Sequence, residues 1–184
     1  MGYDAAIHKA WDDAAQLYLG TKPQELKFFS DVYSVDISRR MIFSLSSNVP
    51  AKDFVSILLL HYLKKKLIGL PELAGQWISF RELSGGESYY PAFRKRAIEP
   101  LILKHGADPK GIYAVLDKVD GSRVQQADAA VRVNAFENVP VLLEIWAGDE
   151  EFGPEASILF DKNIENIFCT EDIAVLGGFI GKYV

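Results

Sequence analysis

The pattern of apolar and polar positions changes its period several times along the chain, which predicts a mixture of helices and strands. Between residues 3 and 19 apolar side chains recur every three or four positions, the spacing of one helix face. From residue 26 to 46 the period is two, and this alternation predicts two strands that join near residues 38–40. The pattern also allows a short earlier strand at residues 27–30.

The next part of the chain predicts a central helix and a kinked one. Residues 51–67 are apolar almost all round, which is typical of a helix covered on several sides, and Ser47 or Asn48 could cap it, with Pro50 in its first turn. Residues 76–83 predict a strand. Pro91 suits the first turn of the following helix, and we expect Pro100 to kink or break that helix before it ends at residues 105–106.

In the second half of the chain, a helix is predicted to begin at Asp108. Residues 125–136 fit two patterns: apolar residues alternate as in a strand, but Asp128 precedes two alanines as in a capped helix, and we favour a helix. Residues 139–146 form the clearest strand, and a short strand or turn follows at 157–160. Thr170 is expected to cap a C-terminal helix, where the pair Gly177-Gly178 allows close backbone packing.

Together these elements predict one α+β domain over residues 1–184, with a mixed or mainly antiparallel sheet covered by helices. The apolar share of 49% and the charged share of 24% are ordinary for a globular chain with a buried core. A length of 184 residues fits a single domain.

Charge and cysteine content narrow the function classes. The net charge of −5 argues against nucleic acid as a partner, because phosphate binding needs a basic surface. A single cysteine, Cys169, excludes an internal disulfide and a cysteine-only metal site, and it fits a reducing cytoplasm. The first residues lack a signal-peptide pattern, and no apolar run is long enough for a bilayer. We therefore expect a cytoplasmic protein with no membrane or nucleic-acid partner.

Acidic residues concentrate in the stretch Trp146–Asp161. Between Glu144 and Asp161 there are six carboxylates and no basic side chain. The stretch could be a solvated turn pinned to the core by Phe152 and Pro154, a partner or ligand surface, or a metal or acid–base site. Crowded carboxylates suit a hard divalent ion and raise one another's pKa, although the spacing is not that of an EF-hand.

A second group of residues lies at 77–90, where a strand, a Gly-Gly loop and a helix start follow one another. Arg81 is flanked by apolar residues and would need a carboxylate partner if it were half-buried. We expect the acidic stretch to supply that partner, so that the two segments lie side by side. The candidate binding residues are Trp77, Arg81, Glu82, Tyr89, Trp146, Asp149, Glu150, Glu151 and Asp161.

These two segments, together with His61-Tyr62-Leu63, resemble the family called domain of unknown function 3786 over about residues 5–180. The matching pieces are Trp-Ile-Ser-Phe-Arg-Glu-Leu-Ser-Gly-Gly at 77–86 and the whole stretch 146–161. The resemblance implies a setting of anaerobic bacterial and archaeal metabolism, in which some members are joined to a four-iron–four-sulfur domain near corrinoid-dependent methyl-transfer systems. This chain lacks the cysteines for such a cluster, and the resemblance assigns no catalytic role.

Two functions remain open from the sequence. The first is a soluble binding module for a protein partner or for a small-molecule cofactor of one-carbon metabolism, which uses the acidic stretch together with residues 81–90. The alternative is a metal-dependent or acid–base enzyme that uses the carboxylates of residues 149–161. No particular cofactor and no oligomeric state is indicated.

Overall fold

The computed structural model describes residues 4–184, and residue 3, where the first helix is predicted to begin, lies outside that range. Within the described range, helices accompany two antiparallel sheets of three and five strands. The chain divides into two compact units, the first ending at Glu72 and the second beginning at Leu73. The predicted α+β class is confirmed, and the single-domain organisation stays a prediction.

The first unit is a three-stranded sheet with two helices. In chain order its elements are α1 (Asp4–Leu17), β1 (Gln24–Phe28), β2 (Asp31–Asp36), β3 (Met41–Ser44) and α2 (Asp53–Ile68). The strands pair as an antiparallel meander, and the short earlier strand predicted at residues 27–30 is present but lies at Gln24–Phe28. Helix α1 packs on α2, and Lys64 donates to Asp13 across 2.8 Å between them. Much of α2 is buried, as its uniformly apolar sequence predicts.

The start of α2 differs from the prediction. Lys52 occupies the cap position and makes no side-chain capping bond. Pro50 lies before the helix, in an isolated bridge to Phe43, and Asn48 takes a left-handed φ of 52° in the turn after β3. The residues that were predicted to start the helix instead form hydrogen bonds with the edge of β3.

The second unit is a five-stranded sheet with a set of helices. Its α-helices and strands are β4 (Trp77–Ser79), α3 (Gly86–Phe93), α4 (Glu99–His105), β5 (Gly121–Val124), β6 (Ala129–Phe136), β7 (Val139–Trp146), β8 (Glu155–Asp161) and α5 (Thr170–Tyr183). Further 3₁₀ segments lie at Phe80–Glu82, Pro109–Asp117 and Lys162–Asn166, and a π-helical segment at Arg94–Ile98. The strand order is β4-β8-β7-β6-β5, and every neighbouring pair is antiparallel.

The prediction of a helix at residues 125–136 is wrong, because most of this range is strand β6. The strand turns directly into β7 through two residues, and Asn138 there takes a left-handed φ of 57°, a conformation that asparagine tolerates. Asp128, interpreted as a helix cap, instead accepts a hydrogen bond from the Ala147 amide at the end of β7. Pairing with the strongest strand therefore overrides the local helix pattern.

Three further elements of the second unit differ from their predicted bounds or type. The predicted strand 76–83 ends at Ser79, because Glu82 accepts from the Ser79 amide and closes a capping box on the 3₁₀ segment 80–82. The next helix begins at Gly86, with Pro91 inside it. The helix predicted after Asp108 is a 3₁₀ segment.

The expected irregularity before Pro100 takes the form of one π-helical turn between α3 and α4. Proline has no amide to donate to the preceding turn, so the regular helical bonding is interrupted there. These helical segments contact β8. Phe93 packs edge-on against Phe160 of β8, and its ring stacks on the ring of Phe80 with 4.0 Å between the ring centres. The aromatic cluster connects the helices to the sheet beside the acidic stretch.

Candidate functional site

The acidic loop, residues 147–154, connects β7 to β8 and is fixed at its base. The amide of Ala147 donates to the Asp128 carboxylate at 2.8 Å. Pro154 packs against the end of α4, since a β-carbon at Gly106 would lie 2.7 Å from the Pro154 Cβ. Gly148 also lies close to Pro154, with 2.9 Å between its would-be β-carbon and the Pro154 nitrogen. The loop is thus built onto the sheet and the helix.

The tip of the acidic loop is closed by Asp149. Its carboxylate accepts from the amides of Glu151 at 2.8 Å and Phe152 at 2.7 Å, and its own amide donates to the Phe152 carbonyl at 2.8 Å. The bond from Phe152, followed by that from Glu151, lowers the pKa of Asp149. This direction is opposite to the rise expected for crowded carboxylates, so Asp149 is an ionised structural residue of the turn.

The turn presents Phe152 to solvent. Its side chain is 72% exposed, whereas Pro154 is half-buried. The expectation that both pin the loop to the core is therefore wrong for Phe152. Trp146, at the end of β7, is 37% exposed, and Glu150 and Glu151 beside Phe152 are also exposed. The acidic loop therefore carries an exposed aromatic ring and two exposed carboxylates, and a second exposed aromatic ring, Trp146, directly precedes it at the end of β7.

The acidic stretch is joined to the helices by Glu155, the first residue of β8. Arg94 donates to its two carboxylate oxygens at 3.3 and 3.5 Å. The Glu155 carboxylate and then a hydrogen bond with the Tyr90 side chain raise the pKa of Arg94. Because Tyr90 lies one helical turn before Arg94, the i, i+4 spacing alone could have indicated that these two side chains meet.

Arg81 also contacts Tyr90. Its guanidinium carbon lies 3.9 Å from the centre of the Tyr90 ring, a cation–π contact. The carboxylate partner of Arg81 is Glu87 at 3.1 Å, and both side chains are more than half exposed. The predicted pairing with the acidic stretch is wrong, but Arg81, Tyr90, Arg94 and Glu155 form a continuous row of contacts that links the two segments.

Two of the predicted binding residues, Trp77 and Asp161, lie at the end of β8 that is opposite to Glu155. Trp77 is in register with Asp161, whereas Trp146 is in register with Glu155. Asp161 is buried, and its carboxylate accepts from the amides of Ala74, Gly75 and Asn163 at 2.8–3.0 Å. Asp161 therefore organises the backbone before β4 and after β8.

The remaining two predicted residues have local roles. Glu82 is committed to the capping box with Ser79. Tyr89 is 41% exposed on α3 and packs against Phe80, with 6.4 Å between the ring centres. Tyr89 thus lies on α3 directly before Tyr90, which belongs to the row of contacts that begins at Arg81.

Within residues 4–184 no group of three or more His, Cys, Asp or Glu side chains is arranged to hold a metal ion. A shallow concavity of about 10 Å³ is bordered by Asn138, Pro140 and Asp161. A volume of that size accommodates about one water molecule. The described surface around Asp161 is therefore not a cofactor pocket.

Burial also affects the pKa of His105 and of Cys169. His105 is buried, its Nε2 lies 3.0 Å from the carbonyl oxygen of Val184, and burial lowers its pKa. Partial burial, followed by the nearby Asp172 carboxylate, raises the pKa of the Cys169 thiol to about 12. Cys169 precedes α5, and its Sγ donates to Asp172 at 3.2 Å.

The fold and this surface define an α+β protein with a stiff, aromatic-tipped acidic loop. The chain belongs to the family described as Domain of unknown function (DUF3786), whose sequence model matches residues 13–183. No curated protein and no solved structure matches the chain. None of the helices described between residues 4 and 184 combines the length and the apolar composition that a membrane crossing requires.

Proposed function

We propose that the chain is a binding module that docks a protein partner through its acidic loop. The observation that carries this proposal is the position of Phe152, which is 72% exposed although the turn that presents it is closed by three hydrogen bonds around Asp149. A large apolar side chain in water gains free energy when a partner covers it. Because the turn is already ordered, little conformational entropy would be lost on binding.

The charge of the loop favours a basic partner. Glu150 and Glu151 flank Phe152, and the loop contains no basic side chain. Carboxylates at the rim of an interface accelerate association with a surface of opposite charge. Aromatic residues in the middle of such a rim are common anchors. We therefore assign the anchor role to Phe152 and Trp146, and the steering role to Glu150 and Glu151.

The row of contacts extends this surface toward α3. Arg94 and Glu155 have exposed fractions of 38% and 55%, so their ion pair is accessible from solvent. Arg81 lies further along the same row, and the exposed Tyr89 precedes Tyr90 on α3; both would contact a larger partner. Trp77, Glu82 and Asp161 are not part of the proposed surface, because their contacts support the fold.

The proposed setting is anaerobic metabolism, which is supported by the family resemblance. A small-molecule cofactor of one-carbon chemistry would need a concave, largely apolar site, and the exposed loop tip is better suited to a protein surface. The acid–base alternative requires a carboxyl group whose pKa is raised, and Asp149 is shifted in the other direction. The loop geometry therefore supports the binding function best.

The test is site-specific photocrosslinking in the source cells. A photoreactive phenylalanine analogue replaces Phe152 in one variant and Leu103 in a matched control, because Leu103 is 87% exposed on α4 of the same unit. We expect a discrete adduct from position 152 that position 103 does not form, and mass spectrometry identifies the partner. An adduct pattern common to both positions, or none from position 152, would overturn the proposal.

A second arm tests the charge. In the variant with Glu150→Lys and Glu151→Lys, we expect the adduct at position 152 to fall at least tenfold while the melting temperature stays within about 2 °C of the wild type. Exposed side chains without structural partners contribute within about 0.5 kcal/mol to stability. An unchanged adduct yield would mean that the carboxylates do not steer the partner.

A further inference from the structure

We draw no further inference here: the strongest candidate, the exposed acidic loop 147–154 with Phe152 at its tip, belongs to the surface already proposed, and nothing in the structure shows what covers it.

Discussion

The α-carbon of Gly181 lies against the main-chain carbonyl of Ala97, so closely that a β-carbon at Gly181 would be 2.7 Å from that oxygen. One turn earlier, a β-carbon at Gly177 would lie 2.3 Å from the Phe93 ring. Both glycines face the helical segments that contact β8. Helix α5 can therefore approach these segments closely because neither Gly177 nor Gly181 has a side chain.

We predict that Gly181→Ala destabilises the protein by about 2 kcal/mol, the usual cost of forcing an extra group into a packed contact. Gly178→Ala is the matched control, because no atom lies within 4 Å of its would-be β-carbon. Alanine there should raise stability by about 0.5–1 kcal/mol through helix propensity. Urea unfolding monitors both variants, and equal effects of the two substitutions would contradict the packing argument.

Asp161 should behave as a structural residue. Asp161→Asn keeps the shape of the side chain but replaces one of the two acceptor oxygens that serve Ala74, Gly75 and Asn163. We expect a loss of about 2 kcal/mol in unfolding free energy, since hydrogen bonds to a charged buried group are stronger than neutral ones. Glu151→Gln, an exposed carboxylate, is the control and should change stability by less than about 0.5 kcal/mol. If Asp161→Asn is equally neutral, Asp161 does not organise these segments.

The first unit should lose stability in acid through Asp13. The hydrogen bonds from Lys64 at 2.8 Å and Lys9 at 3.0 Å lower the pKa of Asp13 from 3.8 to about 2. Because the pKa is lower in the folded state, the stabilising contribution is complete above about pH 4 and is lost as the pH falls toward 2. NMR titration of the Asp13 carboxyl carbon measures this pKa directly.

Two lysine variants separate the causes of that shift. Lys64→Met should raise the pKa of Asp13 more than Lys9→Met, because the bond from Lys64 is the larger cause and the Lys9 side chain is 75% exposed. At pH 7 we expect Asp13→Asn to cost about 1 kcal/mol, a value kept small because Asp13 is partly solvated. An Asp13 pKa near 3.8 in the wild-type protein would contradict the prediction.

The order of the acidic loop should depend on Asp149. Asp149→Ala removes the acceptor of the Glu151 and Phe152 amides, so we expect hydrogen exchange at these two amides to accelerate at least tenfold. Glu150→Ala is the matched control and should leave exchange at Phe152 unchanged. If the proposed docking role is correct, Asp149→Ala also weakens the photoadduct at position 152, since a disordered tip loses more entropy on binding.

Cys169 should react slowly although part of its surface is exposed to solvent. A thiol pKa of about 12 leaves very little thiolate at pH 8, and the thiolate is the reactive form. We expect alkylation by iodoacetamide in the native protein to be at least tenfold slower than in urea. Equal rates in the two states would show that Asp172 and partial burial do not suppress ionisation.

Several elements were predictable because their signals are local. The three- and four-residue spacing of α1, the uniformly apolar α2 and the apolar run of β7 each appear in the structure close to their predicted bounds. Periodicity within one element is a property of neighbouring residues, so it does not depend on what packs against it. The weaker pattern at 125–136 was decided by its partner strand, which no local signal describes.

The candidate site also combines features that are set by the local sequence with features that are set by tertiary contacts. The sequence by itself determined that carboxylates and aromatic residues crowd the connection after β7, because composition is independent of folding. Only the tertiary structure decided that Arg81 pairs with Glu87, that Arg94 joins Glu155, and that Asp161 serves the backbone. The Arg94–Glu155 ion pair and the hydrogen bonds of Asp161 depend on distances between segments remote in the chain, and strand register with helix packing sets those distances. Arg81 and Glu87 are close in the chain, but their pairing depends on the 3₁₀ segment that ends before α3, which the sequence pattern did not predict.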